Sequence, residues 1–343
     1  MVKVQGCSKR NLEFVMTRNI SMVLPDGKNI ISLEANSPLS NIIGILSLQG
    51  FTFVKITENH DYLICFNYQA DVIRATSARR ENRILVVMEP KVTSPSSHKA
   101  RNRMKFGKTI VFSPKWDMGN DVVLPWPQKE LTDRVKLGIE RKKKVCQIVS
   151  NKFSFVKGQQ YGLRRKIILD LSHKVDTYGM GWDDKFTKKM IRLLSAFLRG
   201  FWDSYFRSLF EYLATYKSDD IVIGAVDNKI DVMSRYEIAL VIENSLDYVS
   251  EKLIDAIFAG TCPLYVGPNI DEFGFPKRIA YECAPSVDKV NEAIDVLMRQ
   301  PEMLESIKRE GLAFIESIQF KKFENRAVFT ALAYAVIGEF SGK

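Results

Sequence analysis

Between Tyr236 and Gly267 the chain reads YEIALVIENSLDYVSEKLIDAIFAGTCPLYVG, and no other stretch limits the fold as much. Residues 238–242 form an unbroken apolar run of strand length. Residues 250–259 follow with helical spacing, closed by Gly260, and residues 262–266 return as a second apolar strand. Leu253, Ile254, Ile257 and Phe258 fall on one helix face, which leaves Lys252 on the other. A strand–helix–strand unit of this kind makes parallel strands with a right-handed crossover and presents ligand-binding loops at the carboxyl ends of its strands. A second unit precedes it, with strands at 145–150 and 174–178 flanking a helix at 162–172. The expected class is α/β.

The first half shows the same alternation more faintly. Strands are expected at 51–56, 61–66 and 84–88, with a helix over 39–50 after Pro38. A Pro- and Ser-containing loop begins at Pro90. Pro125, Trp126 and Pro127, followed by the basic run 141–144, read as the passage into a second domain. A chain of 343 residues exceeds one ordinary core and suits two of ~150 residues each. The expected division is 1–140 and 141–343, two Rossmann-like domains. Residues 188–213 carry apolar positions at helical spacing with basic residues between them. They read as a helical insertion near 185–215, either a hairpin packed on the domain, a dimer interface, or a helix lying on a membrane surface.

Composition narrows the field less. The net charge of +10 admits nucleic acid, an anionic membrane, an acidic glycan or a phosphorylated small molecule as partner. The Lys and Arg residues are spread through α/β elements rather than gathered on a nucleic-acid-binding module, so no nucleic-acid partner is expected. The scattered cysteines lack metal-ligand spacing and fit a reduced, cytoplasmic chain. No apolar run reaches the ~18 residues of a membrane span. His60, His98 and His173 have no carboxylate or serine partner at a telling spacing, so solvated or capping roles are expected for them.

The loop and helix start at 243–252 carry the chemistry. A strand delivers Glu243, Asn244 and Ser245 to its carboxyl edge. A helix then opens at 248–251, where free N–H groups and the positive end of the helix dipole suit a pyrophosphate. Lys252 adds a full charge, and Glu251 can accept hydrogen bonds from ribose hydroxyls. The plain alternatives are an exposed Glu-Lys pair and simple capping of the loop by Glu243 and Asn244.

These residues closely resemble the signature of the α-1,3-fucosyltransferase family: Glu-Asn-Ser at 243–245, Tyr-Val-Ser-Glu-Lys-Leu at 248–253, Ala-Gly at 259–260 and Pro263. Only Leu246 and Asp247 separate the first two blocks, a shorter loop than in animal members. Further matches follow outward in order. Ser150 and Asn151 resemble the family's strand-ending Ser-Asn. Residues 164–172 with Val175, Asp176 and Gly179 resemble its arginine-bearing helix and following strand. Met88, Glu89 and Pro90 resemble its Glu-x-Pro region. The likeness is dense over 236–267 and thin elsewhere within 84–285, and the first eighty residues lie outside it.

The resemblance implies the GT-B arrangement, with the nucleotide-sugar domain C-terminal and the acceptor domain N-terminal. It implies an inverting transfer of L-fucose from GDP-fucose to a hydroxyl of a glycan acceptor, in surface polysaccharide or lipopolysaccharide synthesis at the cytoplasmic side of the membrane. Glu89 is implied as catalytic base. Arg164 is implied on the donor diphosphate with Arg165 as neighbouring competitor, and Asn151, Glu243, Asn244, Tyr248, Glu251 and Lys252 as further donor-binding residues. The alternatives are another GDP-deoxysugar donor or a sugar-nucleotide-binding protein without catalysis. No Asp-x-Asp triplet is present, so no cofactor is required and no divalent metal is expected. The acceptor class includes lipid-linked glycans.

Overall fold

A computed structural model describes residues 18–30, 39–130, 141–154, 156–182 and 221–341. The proposed helical insertion at 188–213 and Cys7 lie outside the described residues.

The N-terminal part builds a seven-stranded sheet. Its elements are β1 (Arg18–Val23), β2 (Asn29–Ile30), α1 (Ser40–Leu48), β3 (Phe51–Phe53), β4 (Tyr62–Phe66), α2 (Ala70–Ala75), β5 (Arg83–Val87), α3 (Ala100–Arg103), β6 (Lys108–Val111) and β7 (Val122–Val123). The order is β2-β1-β4-β5-β6-β7, with β3 alongside β1, and every pairing but β1–β2 is parallel. Leu63 to Phe66 and Ile84 to Val87 are wholly buried, as strands covered on both faces must be. The expected strand over 51–56 is shorter than its apolar spacing suggests, because β3 leaves the sheet after Phe53.

The second sheet has five strands, all parallel, in the order β12-β11-β10-β8-β9. It comprises β8 (Lys142–Ile148), α4 (Tyr161–Asp170), β9 (Val175–Tyr178), α5 (Lys229–Met233), β10 (Tyr236–Ile242), α6 (Glu251–Phe258), β11 (Cys262–Val266) and β12 (Tyr281–Glu282). The basic run at 141–144 stands at the start of the second sheet. It opens β8, and Arg141 donates to the carbonyls of Tyr236 and Ala259. On α6, Leu253, Ile254, Ile257 and Phe258 are all buried, as their spacing requires. Gly260 closes that helix at φ 66°, a left-handed turn that glycine adopts without penalty.

The chain ends in α7 (Val287–Arg299), α8 (Pro301–Glu316) and α9 (Asn325–Ser341). After α8 the chain crosses back to the first sheet. A turn at 317–324 breaks the helical run, and the backbone of Gln128 bonds to Phe323 and Asn325 at 2.7 Å each. Beyond it α9 buries Val328, Phe329, Leu332, Ala333, Val336 and Phe340 in the core of the first sheet. The Phe340 ring lies tilted against that of Tyr62 on β4, with centroids 4.4 Å apart. His60, expected to be solvated or capping, is buried, with its ring nitrogens 2.8 Å from the Glu58 carbonyl and from Thr76 Oγ1.

Candidate active site

The carboxyl ends of both sheets face one cleft, which encloses a cavity of about 250 Å³. From the second sheet, β8, β9 and β10 direct their ends toward it, and the N-terminus of α6 does the same.

The loop between β10 and α6 is fixed by a carboxylate beneath it. Glu243 is 0% exposed. It accepts from the Ser250 N–H and hydroxyl, each at 2.8 Å, and from Lys252 Nζ at 3.0 Å. Both ends of the loop are thereby tied to one buried charge, which is stable because it is paired and hydrogen-bonded. Ser250 also caps α6 by accepting from the Lys252 N–H. Glu243 does not line the cavity. Lys252 does, and its side chain is drawn back onto Glu243 and Ser250 rather than standing free on the open helix face.

Arg164 enters from α4. Its Nη2 donates to the Ile242 carbonyl and, at 2.9 Å, to Asn244 Oδ1, and its guanidinium lies 5.1 Å from the centre of the Tyr161 ring. The group is buried, which pulls its pKa below the ordinary value, and its Nε has no hydrogen-bond partner. A buried guanidinium with unused donors on a cavity wall is matched to an anion. Arg165, one residue on and so 100° round the helix, turns away and donates to the Lys152 carbonyl at 2.8 Å. Asn244 is held from both sides, since its carbonyl accepts from Gln160 at 2.9 Å. Asn151 also falls outside the lining, and its N–H donates to Met180 at 3.0 Å.

On α6, Glu251 and Asp255 share a face one turn apart and both line the cavity. Burial works against the charge of Glu251, yet Lys252, Lys229 and Lys129 hold its pKa below the ordinary value. Asp255 is more deeply enclosed, and burial raises its pKa despite Lys129 and Lys229. Gly179, at the end of β9, has φ 141°, and a Cβ there would stand 1.9 Å from the Val149 carbonyl oxygen. No other residue lets β9 approach β8 so closely at the cavity wall.

From the first sheet comes Glu89, just past β5. Its N–H and that of Met88 donate to Asn67 Oδ1 at 3.2 and 3.0 Å. Asn67 itself sits at φ 56°, a left-handed conformation that asparagine tolerates better than most residues. The Glu89 carbonyl accepts from His98 Nε2 at 2.8 Å, which fixes that nitrogen as the protonated one. Burial lowers the His98 pKa and keeps the ring neutral. The Glu89 carboxyl is half-buried. Desolvation raises its pKa above the ordinary 4.5, opposed by Lys152 and Lys252 and reinforced by Glu251.

The cleft therefore gathers Glu89, Arg164, Asn244, Tyr248, Glu251 and Lys252, and leaves Glu243 and Asn151 behind its wall. Trp126, Lys152, Lys229 and Asp255 line it without having been singled out from the sequence. Asp255 was legible as the i+4 neighbour of Glu251. Trp126 reaches the site from the other domain, and no local pattern marks it.

No protein-family model matches the chain, and no curated protein does. Solved structures do match. One is an α1,3-fucosyltransferase, at 15% identity and TM-score 0.50 over 97% of this chain and 92% of that one. Another is a glycosyltransferase from Rickettsia africae ESF-5, at 10% identity and TM-score 0.52 over 96% and 100%. A third is Anabaena Alr3699/HepE in complex with UDP and glucose, at 10% identity and TM-score 0.56 over 94% and 100%. At these identities the likeness speaks for the fold, which is that of two Rossmann-like domains in the GT-B arrangement.

Proposed function

We propose that the chain is an inverting glycosyltransferase that moves L-fucose from GDP-fucose to a hydroxyl of a glycan acceptor, in surface polysaccharide or lipopolysaccharide synthesis. One observation carries the reading: Glu89 from one sheet edge shares a cleft with Arg164, Asn244, Tyr248, Glu251 and Lys252 from the other. A base and an anion-binding wall on opposite sides of a gap are what a displacement at an anomeric carbon needs. The fold supports a nucleotide-sugar donor, since the similar structures include named glycosyltransferases. The choice of guanosine and of fucose rests on the likeness of 236–267 to the fucosyltransferase signature.

In this reading the diphosphate lies at the N-terminus of α6, against Arg164 and Lys252, and Glu251 accepts from ribose hydroxyls. Glu89 takes the proton from the acceptor hydroxyl as that oxygen bonds to the anomeric carbon. The bond from that carbon to the diphosphate oxygen breaks, and its electron pair stays with the leaving group. Arg164 and Lys252 stabilise the charge that develops there. The raised pKa of Glu89 strengthens it as a base relative to an exposed glutamate. The cations supply the neutralisation that a metal would otherwise give, so none is required.

Titration calorimetry with GDP, GDP-fucose, GDP-mannose and UDP, without added metal, tests the donor. Tight GDP binding with GDP-fucose preferred is expected. A preference for UDP, or no nucleotide binding, overturns the reading.

A further inference from the structure

The loop that carries Tyr248 does not stop at the cavity. It crosses to the other domain through Asp247. The Ser113 hydroxyl donates to the Asp247 carbonyl at 2.5 Å, and the Trp116 indole Nε1–H donates to Asp247 Oδ2 at 2.9 Å. The second carboxylate oxygen, Oδ1, accepts from Ser245 Oγ at 2.5 Å. One side chain thus holds the turn of its own loop and the face of the opposite domain. Only Leu246 and Asp247 separate Ser245 from Tyr248, so a shift of Asp247 carries Tyr248 with it.

Tyr248 is braced from the same side. Its ring lies 5.7 Å from that of Trp116 and 5.2 Å from that of Trp126. Trp116 is 3% exposed and does not line the donor cavity. On its other flank His98 stands edge-on at 5.2 Å, and His98 in turn bonds to the Glu89 carbonyl. Contacts therefore run without a gap from the turn that bears Glu89, through His98 and Trp116, to Asp247 and the cavity wall.

We infer that Asp247 is a positioning residue that anchors the donor loop to the acceptor-side domain, so that nucleotide affinity is set in part by Trp116 from across the cleft. The physical reason is conformational entropy. A loop left free must be ordered when the ligand arrives, at a cost to binding, whereas a loop already held incurs that cost on folding. If the Trp116–Asp247 bond were only adhesive between domains, its loss would lower stability and leave nucleotide affinity alone.

The inference rests on the proposed GDP site, and the test separates the two. GDP binding is measured by calorimetry, and unfolding by urea, for the wild-type chain and for Trp116→Phe, Asp247→Ala, Asp247→Asn and the double variant Trp116→Phe/Asp247→Ala. Trp116→Phe deletes the indole N–H and keeps a ring against Tyr248 and His98. Each of Trp116→Phe and Asp247→Ala should weaken GDP binding by about three- to tenfold, the range expected for losing one hydrogen bond of a coupled pair. The double variant should bind no more weakly than Asp247→Ala alone. Asp247→Asn, which keeps an acceptor for Trp116, should stay within about twofold of wild type. Single variants that bind GDP like wild type, or a double variant whose loss is the product of the two, overturn the inference. Absence of GDP binding to the folded wild-type chain sinks the donor reading instead. The unfolding cycle then decides the anchor alone, and additivity there removes it.

Discussion

The two sheets present their carboxyl edges to the same cleft and furnish them in opposite ways. On the second sheet the polar groups are locked to one another: Glu243 holds Ser250 and Lys252, while Arg164 holds Asn244 and the end of β10. On the first sheet the backbone around Glu89 is fixed by Asn67 and His98, yet no described group hydrogen-bonds its carboxylate. A network tied in place before the ligand arrives, with a donor of Arg164 still unused, suits recognition, because little reorganisation is left to do. A half-buried carboxylate without a hydrogen-bond partner keeps its affinity for a proton, which suits a base. The difference separates binding from proton transfer within one cleft.

The sharpest way to break that division is Glu89→Gln. Turnover should fall by ~10²–10⁴-fold, the usual contribution of a positioned general base, while GDP affinity by calorimetry stays close to wild type. Parallel losses in both would mean that Glu89 serves the donor as well. The next effect falls on stability. Leu332 lies near the C-terminus but is buried in the core of the first sheet. Leu332→Ala should cost about 2–5 kcal/mol in urea unfolding, with hydrogen-exchange protection lost from β4 and β5 before β8 and β10. Equal loss across both sheets would show that the two regions unfold as one.

The smallest effect is electrostatic and has a sign. Because the Glu89 pKa is raised, turnover should fall away on acidification at a pH above the ordinary glutamate range. Lys152 favours the carboxylate, so Lys152→Ala should move that acid limb to higher pH. Glu251 disfavours it, so Glu251→Gln should move the limb lower. A kcat–pH profile at saturating donor reads both, and limbs that do not move in opposite directions would remove Glu89 as the titrating group.

Some of this was legible in the residues and some was not. The strands at 61–66, 84–88 and 262–266 stand close to where their apolar runs place them, because a strand covered on both faces leaves a continuous signal. Residues 18–23, 108–111 and 122–123 also form strands, none of them expected from the residues alone. Those strands are short or open on polar residues, and they acquire their place only from neighbours in the sheet. The side chains at the site divide in the same way. Glu251 and Lys252 in the first turn of α6 follow from local spacing. Glu243, read as a donor ligand, belongs beneath the loop, because its partners lie seven and nine residues on and fold back over it.

By itself the sequence determined what depends on neighbours a few residues apart: the strand–helix–strand unit of 236–266, the buried face of α6, its cap and its closing Gly260. Hydrogen bonds and apolar periodicity within one or two turns suffice for these. Only the tertiary structure decided that Arg164 rather than Arg165 faces the cavity, that α9 completes the first sheet's core, and that Trp116 grips Asp247. Each of those depends on which surfaces meet after long loops have closed. Burial and pairing between distant residues select that meeting, and no local pattern encodes it.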